Sequence, residues 1–557
     1  MSKYLKLFFL ALVICINAAW AGDFEDGEAA YARKDYATAL KKYKSAAEKK
    51  YANAQFKIGL IYGIGQGVLQ DYAEAARWFK MAAEQGYADA QFVLAMQYTE
   101  GEGVLQDYVE AMRLYKLAAT QGLASAQFKL GYMYEKETSV VQDYTEAMRW
   151  YKLAAAQGYA QAQANLGYMY NIGRGVSKDY VQAVRWYKLA AAQGVAQAQF
   201  NLALNYANGQ GVIQDYAEAV RWYKLAAAQG YSVAQFNLAV NYANGQGVVQ
   251  DYAEAVVWYK LAAAQGYVQA QSSLGNMYNE GLGVVQDYAE AVHWYKLAAG
   301  QGYAQAQYNL GYMYNNGQGV VQDYAKAVSW YKLAAAQGNA KAQYNLALNY
   351  ANGQGVAQDY AEAVRWTKLA AAQGEAQAQF NLGMMYNNGQ GVAQDYAEAV
   401  RWYKLAAAQG VAQAQTNLGY MYYNGQGIVQ DYAEAVSWYK LAAAQGFAVA
   451  QNNLGRMYDN GKGVVQDYAD AVRWYKLAGA QGYAQAQGNL GAMYSNGQGV
   501  VQDYIRAHMW FNLAAVKGYS VGVKNRDIVA KLMTQQQIAQ AQKLARECQA
   551  RNFKNCE

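Results

Sequence analysis

An Asp-Tyr pair returns every 36 residues, from Asp35, Asp71, Asp107, Asp143 and Asp179 through to Asp503, and this period constrains the fold more than any other feature. Twelve of the thirteen tryptophans keep one phase of the same period, from Trp78 and Trp150 to Trp510, with Leu114 standing once in their place. Framed from Tyr51, thirteen ungapped units fill residues 51–518, after a degenerate opening unit at 22–50 and before an atypical tail at 519–557. A fixed period of this size marks stacked repeats, in which each unit buries its apolar face only against its neighbours. A chain of 557 residues would otherwise suggest several domains, yet it has no proline, 53 glycines and 55 tyrosines, and no linker or charge run divides it.

Residues 303–338 represent the unit. Ala306, Leu310, Met313 and Tyr314 fall at helical spacing on one face of a first helix, A. Asn315-Asn316-Gly317 offers a left-handed cap to end it, and Gly319 permits a second tight bend. Asp323 then opens a second helix, B, whose apolar positions are Tyr324, Ala327, Val328, Trp330, Tyr331, Ala334 and Ala335, and Gly338 closes the unit. In most units a glutamate follows the aspartate by three, as Glu218 follows Asp215, which is the spacing of a capping box with aspartate as cap. These apolar faces are too broad for one partner helix, so copies must stack. The predicted fold is all-α: a solenoid of helix-turn-helix repeats, closed by the lysine-rich opening unit and by a polar helix at 535–550. One turn breaks the rule. Residues 135–141 contain no glycine, so this turn is expected to be rebuilt.

The first 21 residues follow a different logic. Lys3 and Lys6 precede an apolar run from Leu7 to Ile16, and Ala19-Trp20-Ala21 offers a cleavage site, the layout of a secretory signal peptide cut after Ala21. The run is well short of the ~20 residues that a membrane span needs. Bulky Ile14 before Cys15 argues against a lipid anchor. A periplasmic or secreted location is therefore expected. Removing two lysines and no acids lowers the net charge from +6 to +4, too little to serve as an electrostatic footprint for nucleic acid. Cys548 and Cys556 would remain, and two close cysteines in an exported chain read as a disulfide clamping the C-terminus.

The residues Ala306, Gln307, Leu310, Gly311, Met313, Tyr314, Gly317, Gly319, Val320, Asp323, Ala327, Trp330 and Tyr331 carry a resemblance to the Sel-1-like repeat, a variant of the tetratricopeptide superfamily. The resemblance extends over residues 51–518. It implies a right-handed α/α superhelix and a role as an assembly scaffold or adaptor, with exported bacterial relatives associated with envelope processes and host-cell interaction. A cysteine-rich secreted branch has been linked to binding and slow hydrolysis of β-lactams. That branch carries a disulfide in its repeats, whereas every repeat here is free of cysteine, so its activity is not carried over.

The residue inventory argues against catalysis. His293 and His508, the only histidines, are read as surface residues six units apart, with no cysteine or carboxylate placed for a triad or a metal site. The repeated Asn-Gly-Gln-Gly-Val lacks the lysine and serine or threonine of a phosphate loop. The repeated aspartates and glutamates lie at helix starts, where capping and the helix dipole explain them. No enzyme activity, cofactor or metal is expected.

A solenoid binds through the face that its repeats present in series. At 100° per residue, Gln305, Tyr308, Asn309, Tyr312 and Asn316 lie opposite the core side of helix A. The position of Tyr308 changes freely between units: Phe56, Phe92, Phe128, Ala164, Phe200, Phe236, Ser272, Tyr308, Tyr344, Phe380, Thr416, Asn452 and Gly488. The next residue is asparagine in nine of thirteen units, including Asn201, Asn237, Asn309, Asn345 and Asn381. By the resemblance, helix A lines the concave wall, so an aromatic ladder would stand beside an amide ladder there. Asparagines would bond an extended backbone and the rings would anchor it. The alternative is that the rings cover adjacent helices. The expected partner is a protein or extended peptide, with cell-wall glycan as the second reading and no nucleic acid.

Overall fold

A computed structural model describes residues 22–136, 141–553 and 556. The leader read at residues 1–21 lies outside them, as do residues 137–140 of the divergent turn. Among the described residues there are thirty helices, arranged as successive pairs, and no strands. The chain forms two compact units, one ending at Val285 and the other beginning at Gln286. The boundary falls between the two helices of the seventh repeat, Val268–Glu280 and Tyr288–Gly300. Within each unit the same pair recurs.

In the fifth repeat, helix A is Ala196–Asn208 and helix B is Tyr216–Ala228. Gly209 and Gly211 turn the chain in the left-handed region, at φ 66° and 72°. A side chain at Gly211 would run into the Tyr180 carbonyl, which begins helix B of the preceding repeat. This glycine therefore serves close stacking as well as the turn. The Asp215 carboxylate accepts the amides of Ala217 and Glu218 at 2.9 and 3.0 Å. Its own N–H donates to the Tyr206 carbonyl at 2.9 Å, and the Gln214 side chain donates to the Ala207 carbonyl at 2.7 Å. The free carbonyls at the end of helix A are thus capped by the start of helix B.

That arrangement corrects the expected capping box. With the aspartate N–H already donated to helix A, the glutamate turns outward, and Glu218 pairs with Arg221 at 3.3 Å. The reciprocal pair does occur in the terminal helix, where Thr534 and Gln537 cap one another. At the divergent turn, helix A ends on Lys136 in extended conformation, at φ −105° and ψ 130°, where other repeats place a left-handed glycine. Gln142 still donates to the Glu135 carbonyl at 2.7 Å, so the exit from helix A keeps its usual clasp.

A buried glutamine joins neighbouring repeats. Gln199 is buried on helix A and donates to the Ala191 carbonyl of the preceding helix B at 3.1 Å. It accepts from Gln229, at the end of its own helix B, at 2.8 Å. The relation recurs through Gln127 and Gln157, Gln163 and Gln193, and Gln343 and Gln373. It stops at Gln487, whose carbonyl oxygen has no partner because Lys517 stands where the second glutamine belongs. The sequence reading registered these glutamines only as part of the pattern.

The ends follow the expected plan. The opening hairpin pairs Gly22–Ala32 with Tyr36–Glu48, and Lys42, Ser45 and Lys49 gather around Asp23. At the other end Ser520–Ala530 and Gln535–Ala550 cover the last repeat, and Cys548 and Cys556 form a disulfide. His508 departs from its surface reading. It is 3 % exposed because it occupies the helix B position that holds buried Val220 in the fifth repeat.

Candidate partner-binding face

The free faces of helix A were built from small and aromatic residues in register, so each ring's surroundings repeat. Phe200 lies 5.9 Å from Tyr223 of its own helix B and 5.4 Å from Tyr231, which opens the next repeat. Phe128 and Phe236 make the same two contacts, with Tyr151 and Tyr159 and with Tyr259 and Tyr267. Phe56 does so with Phe79 and Tyr87. Where the next repeat opens on Leu123, Asn339 or Val411, the rings of Phe92, Tyr308 and Phe380 keep the helix B tyrosine as ring neighbour.

Packing therefore determines how much of each ring a partner can reach. Phe56 and Phe92 are buried, at 4 and 2 % exposure, so a partner would have to displace neighbouring side chains to touch them. Phe128, Phe200, Phe236, Tyr308, Tyr344 and Phe380 are half-buried. The loss of rings at Thr416, Asn452 and Gly488 is compensated within the repeat stack. A side chain added at Gly488 would meet the Tyr519 ring at 2.7 Å, and Thr416 and Asn452 are themselves buried.

The asparagines are half-buried as well and have internal partners. Asn345 donates to the Tyr331 hydroxyl at 3.3 Å, and Asn237 donates to the Val233 carbonyl at 2.8 Å. Asn309 accepts from Gln305 at 2.9 Å. Asn381 donates instead to the Tyr344 hydroxyl at 3.0 Å. Its usual tyrosine is replaced by Thr367, whose hydroxyl turns back to the Ala363 carbonyl. Asn201 is half-buried beside Phe200.

The more exposed aromatics lie one helical turn further on. Tyr132, Tyr168, Tyr312 and Tyr420 occupy the ninth position of helix A and are 39–51 % exposed. This position also varies between repeats, with Leu204, Val240, Leu348, Met384 and Arg456 among its occupants. The sequence grouped Tyr312 with the free face but ranked the Tyr308 position above it. The missed signal was the fixed tyrosine of helix B, which claims the ring four residues earlier.

In the second compact unit, Met384 at this position borders a cavity of about 380 Å³. Asn387, Tyr396, Tyr403, Asn417, Tyr420 and Gln426 supply its polar wall, and none of these carries a charge at neutral pH. Asn417 donates to the Met384 sulfur at 3.3 Å. Burial pushes the Tyr403 phenol up to about 12, with a hydrogen bond to Asn417 opposing the shift, so it stays protonated. Such a surface can stack and hydrogen-bond, but it offers no nucleophile or proton-transfer pair. Elsewhere, burial raises the Asp89 and Asp459 carboxyls and lowers His508, and each stands apart from the others. Among the described residues no group of three or more His, Cys, Asp or Glu is placed to hold a metal ion.

The Sel1 repeat profile matches thirteen consecutive segments, from residues 52–87 through 484–519. The chain is 39 % identical to a protective antigen present in uropathogenic Escherichia coli strains that displays an SLR fold. That likeness covers 79 % of this chain and 96 % of the antigen, with a TM-score of 0.71. A Sel1 repeat protein from Oxalobacter formigenes is 34 % identical over 59 % of this chain and 93 % of its own, with a TM-score of 0.47. No curated protein matches the chain. No catalytic domain is identified, and no helix among the described residues is long and apolar enough to cross a membrane.

Proposed function

We propose that this chain, which belongs to the Sel1 repeat family, is a non-catalytic scaffold that holds a protein or extended peptide along the helix A side of its repeats. One observation carries the reading: the exposed, variable ninth position of helix A presents Tyr132, Tyr168, Tyr312 and Tyr420 on an almost uncharged, amide-rich surface. Tyrosine offers a large apolar ring with a hydroxyl handle at low entropic cost, and many weak contacts in series add by avidity. The half-buried rings of Phe128, Phe200, Phe236, Tyr308, Tyr344 and Phe380 form the supporting layer beneath. The leader-like residues 1–21 and the similarity to a protective antigen support action in the periplasm or outside the cell.

The test is capture from envelope extract with the mature chain beside a variant carrying alanine at Tyr132, Tyr168, Tyr312 and Tyr420. These side chains are exposed, so helicity should be unchanged. A protein retained by the parent at high salt and lost by the variant is the expected result. Equal retention by both would remove helix A from the binding site. The uncharged tyrosine and amide cavity beside Met384 favours a second reading, stacking on sugar rings of cell-wall glycan. Co-sedimentation with purified sacculi, lost on Tyr420→Ala, would support it.

A further inference from the structure

The tryptophan of helix B has a fixed seat. Trp186 packs against the cluster formed by Ala154 and Ala155 of the preceding helix B and Leu166 and Tyr170 of its own helix A. Trp222, Trp366 and Trp402 occupy the corresponding seats in their repeats. The preceding arginine lies over the indole at 5.4 Å for Arg149 on Trp150, 5.8 Å for Arg221 on Trp222 and 5.0 Å for Arg365 on Trp366.

In the second repeat this seat is only partly filled. Leu114 replaces the tryptophan, and an open cavity of about 450 Å³ lies against it. Its apolar walls are Ala83, Leu94 and Tyr98, the counterparts of the groups that hold Trp186. Lys80 and Arg113 face Glu84 and Glu110 around the rim, so the charges balance. Arg113, with no ring to cover, forms a two-point pair with Glu110 at 2.8 and 2.6 Å. In the first repeat the glutamate equivalent to Glu110 is Glu74, which accepts the Trp78 indole N–H at 3.0 Å.

We infer that the cavity at Leu114 is a binding site for an indole ring carried by a ligand. The seat has the walls that hold the chain's own indole elsewhere, and Glu110 stands where Glu74 takes the ring N–H. An apolar cavity shaped for a removed side chain binds a ring of matching form. The balanced rim favours a neutral group, either a free indole or the tryptophan side chain of a polypeptide. The site lies between the two helix B elements, apart from the exposed tyrosines of helix A, so its failure would leave the scaffold reading untouched.

Titration of the full chain with fluoroindole and with a capped tripeptide containing fluorotryptophan, followed by fluorine NMR, tests this directly. Saturable binding at one site is expected, with loss of that site in Leu114→Trp, which supplies the ring from within. The same substitution should raise the unfolding temperature, which separates a filled seat from a misfolded variant. Trp222→Leu, which empties the same seat in another repeat, should add a site. The tripeptide arm separates the two sources: binding of both probes points to a tryptophan on a polypeptide, binding of the free ring alone to a small indole. Absence of saturable binding, its persistence in Leu114→Trp, or no added site in Trp222→Leu would overturn the inference.

Discussion

At the scale of single residues, the repeat supplies its own reference state, and His508 shows how to use it. Counted from the start of helix B, His508 shares its position with Val184, Val220 and Val328, all buried, whereas His293 shares its position with exposed Arg221. The phase was legible in the sequence; treating both histidines as surface residues ignored it. Burial, with the positive charge of Arg526 nearby, holds the His508 pKa below the ordinary histidine range, while Asp527 opposes the shift. Its Nδ1 has no hydrogen-bond partner. A histidine whose folded pKa is depressed takes up more protons when unfolded, so its contribution is complete above the unfolded pKa and declines as the pH falls toward the folded one. Amide exchange in the two terminal helices should therefore quicken as the pH drops below about 6.5, after correction for intrinsic rates. His508→Val, which restores the residue of other repeats, should remove that dependence. An unchanged pH profile in this variant would place its origin elsewhere.

At the scale of helices, the sequence showed which segments are helical and where they end, because caps and turns are local. Asp215, Gly209 and Gly230 each act within a few residues of themselves. What stayed hidden were interactions between repeats, which have no local signature. The tyrosine that closes over Phe200 lies 31 residues later, and Gln229 reaches Gln199 across 30. The aromatic ladder was therefore read as a binding wall, while much of each ring is packing. The glutamine link gives this scale its prediction. Removing Gln199 leaves the Ala191 carbonyl and the Gln229 amide without their shared partner, and a lost buried hydrogen-bonding group costs about 1–3 kcal/mol. Gln199→Ala and Gln229→Ala should each loosen the junction between helix A and the preceding helix B. The double variant should cost less than the sum of the two. Exchange at the amides of residues 191–203 reports this locally; strict additivity would show that the link carries no coupling.

At the scale of the whole chain, stability accumulates from junctions between neighbours, and the junctions are nearly interchangeable. Removing residues 196–231 would bring helix B of the fourth repeat against helix A of the sixth. The donated face would present Ala183, Val184, Tyr187, Ala190 and Ala191 in place of Ala219, Val220, Tyr223, Ala226 and Ala227, which are the same residues in the same order. The carbonyl that Gln235 needs would come from Ala191 instead of Ala227. The C-terminal end offers no such substitute. Residues 519–553 cover a face that includes buried Met509, Trp510, Phe511 and Ala514, and Gly522 fits against Ala514 so closely that an added methyl would meet its side chain at 2.8 Å. Truncation after Gly518 would expose that apolar face at the end of the stack, the setting in which repeat proteins lose solubility. The 36-residue internal deletion should keep its helicity per residue and remain monodisperse, while the smaller 39-residue truncation should lower the unfolding temperature and promote association. Circular dichroism and light scattering on the two variants distinguish them. If the internal deletion fared as badly as the truncation, contacts beyond nearest neighbours would have to hold the stack together.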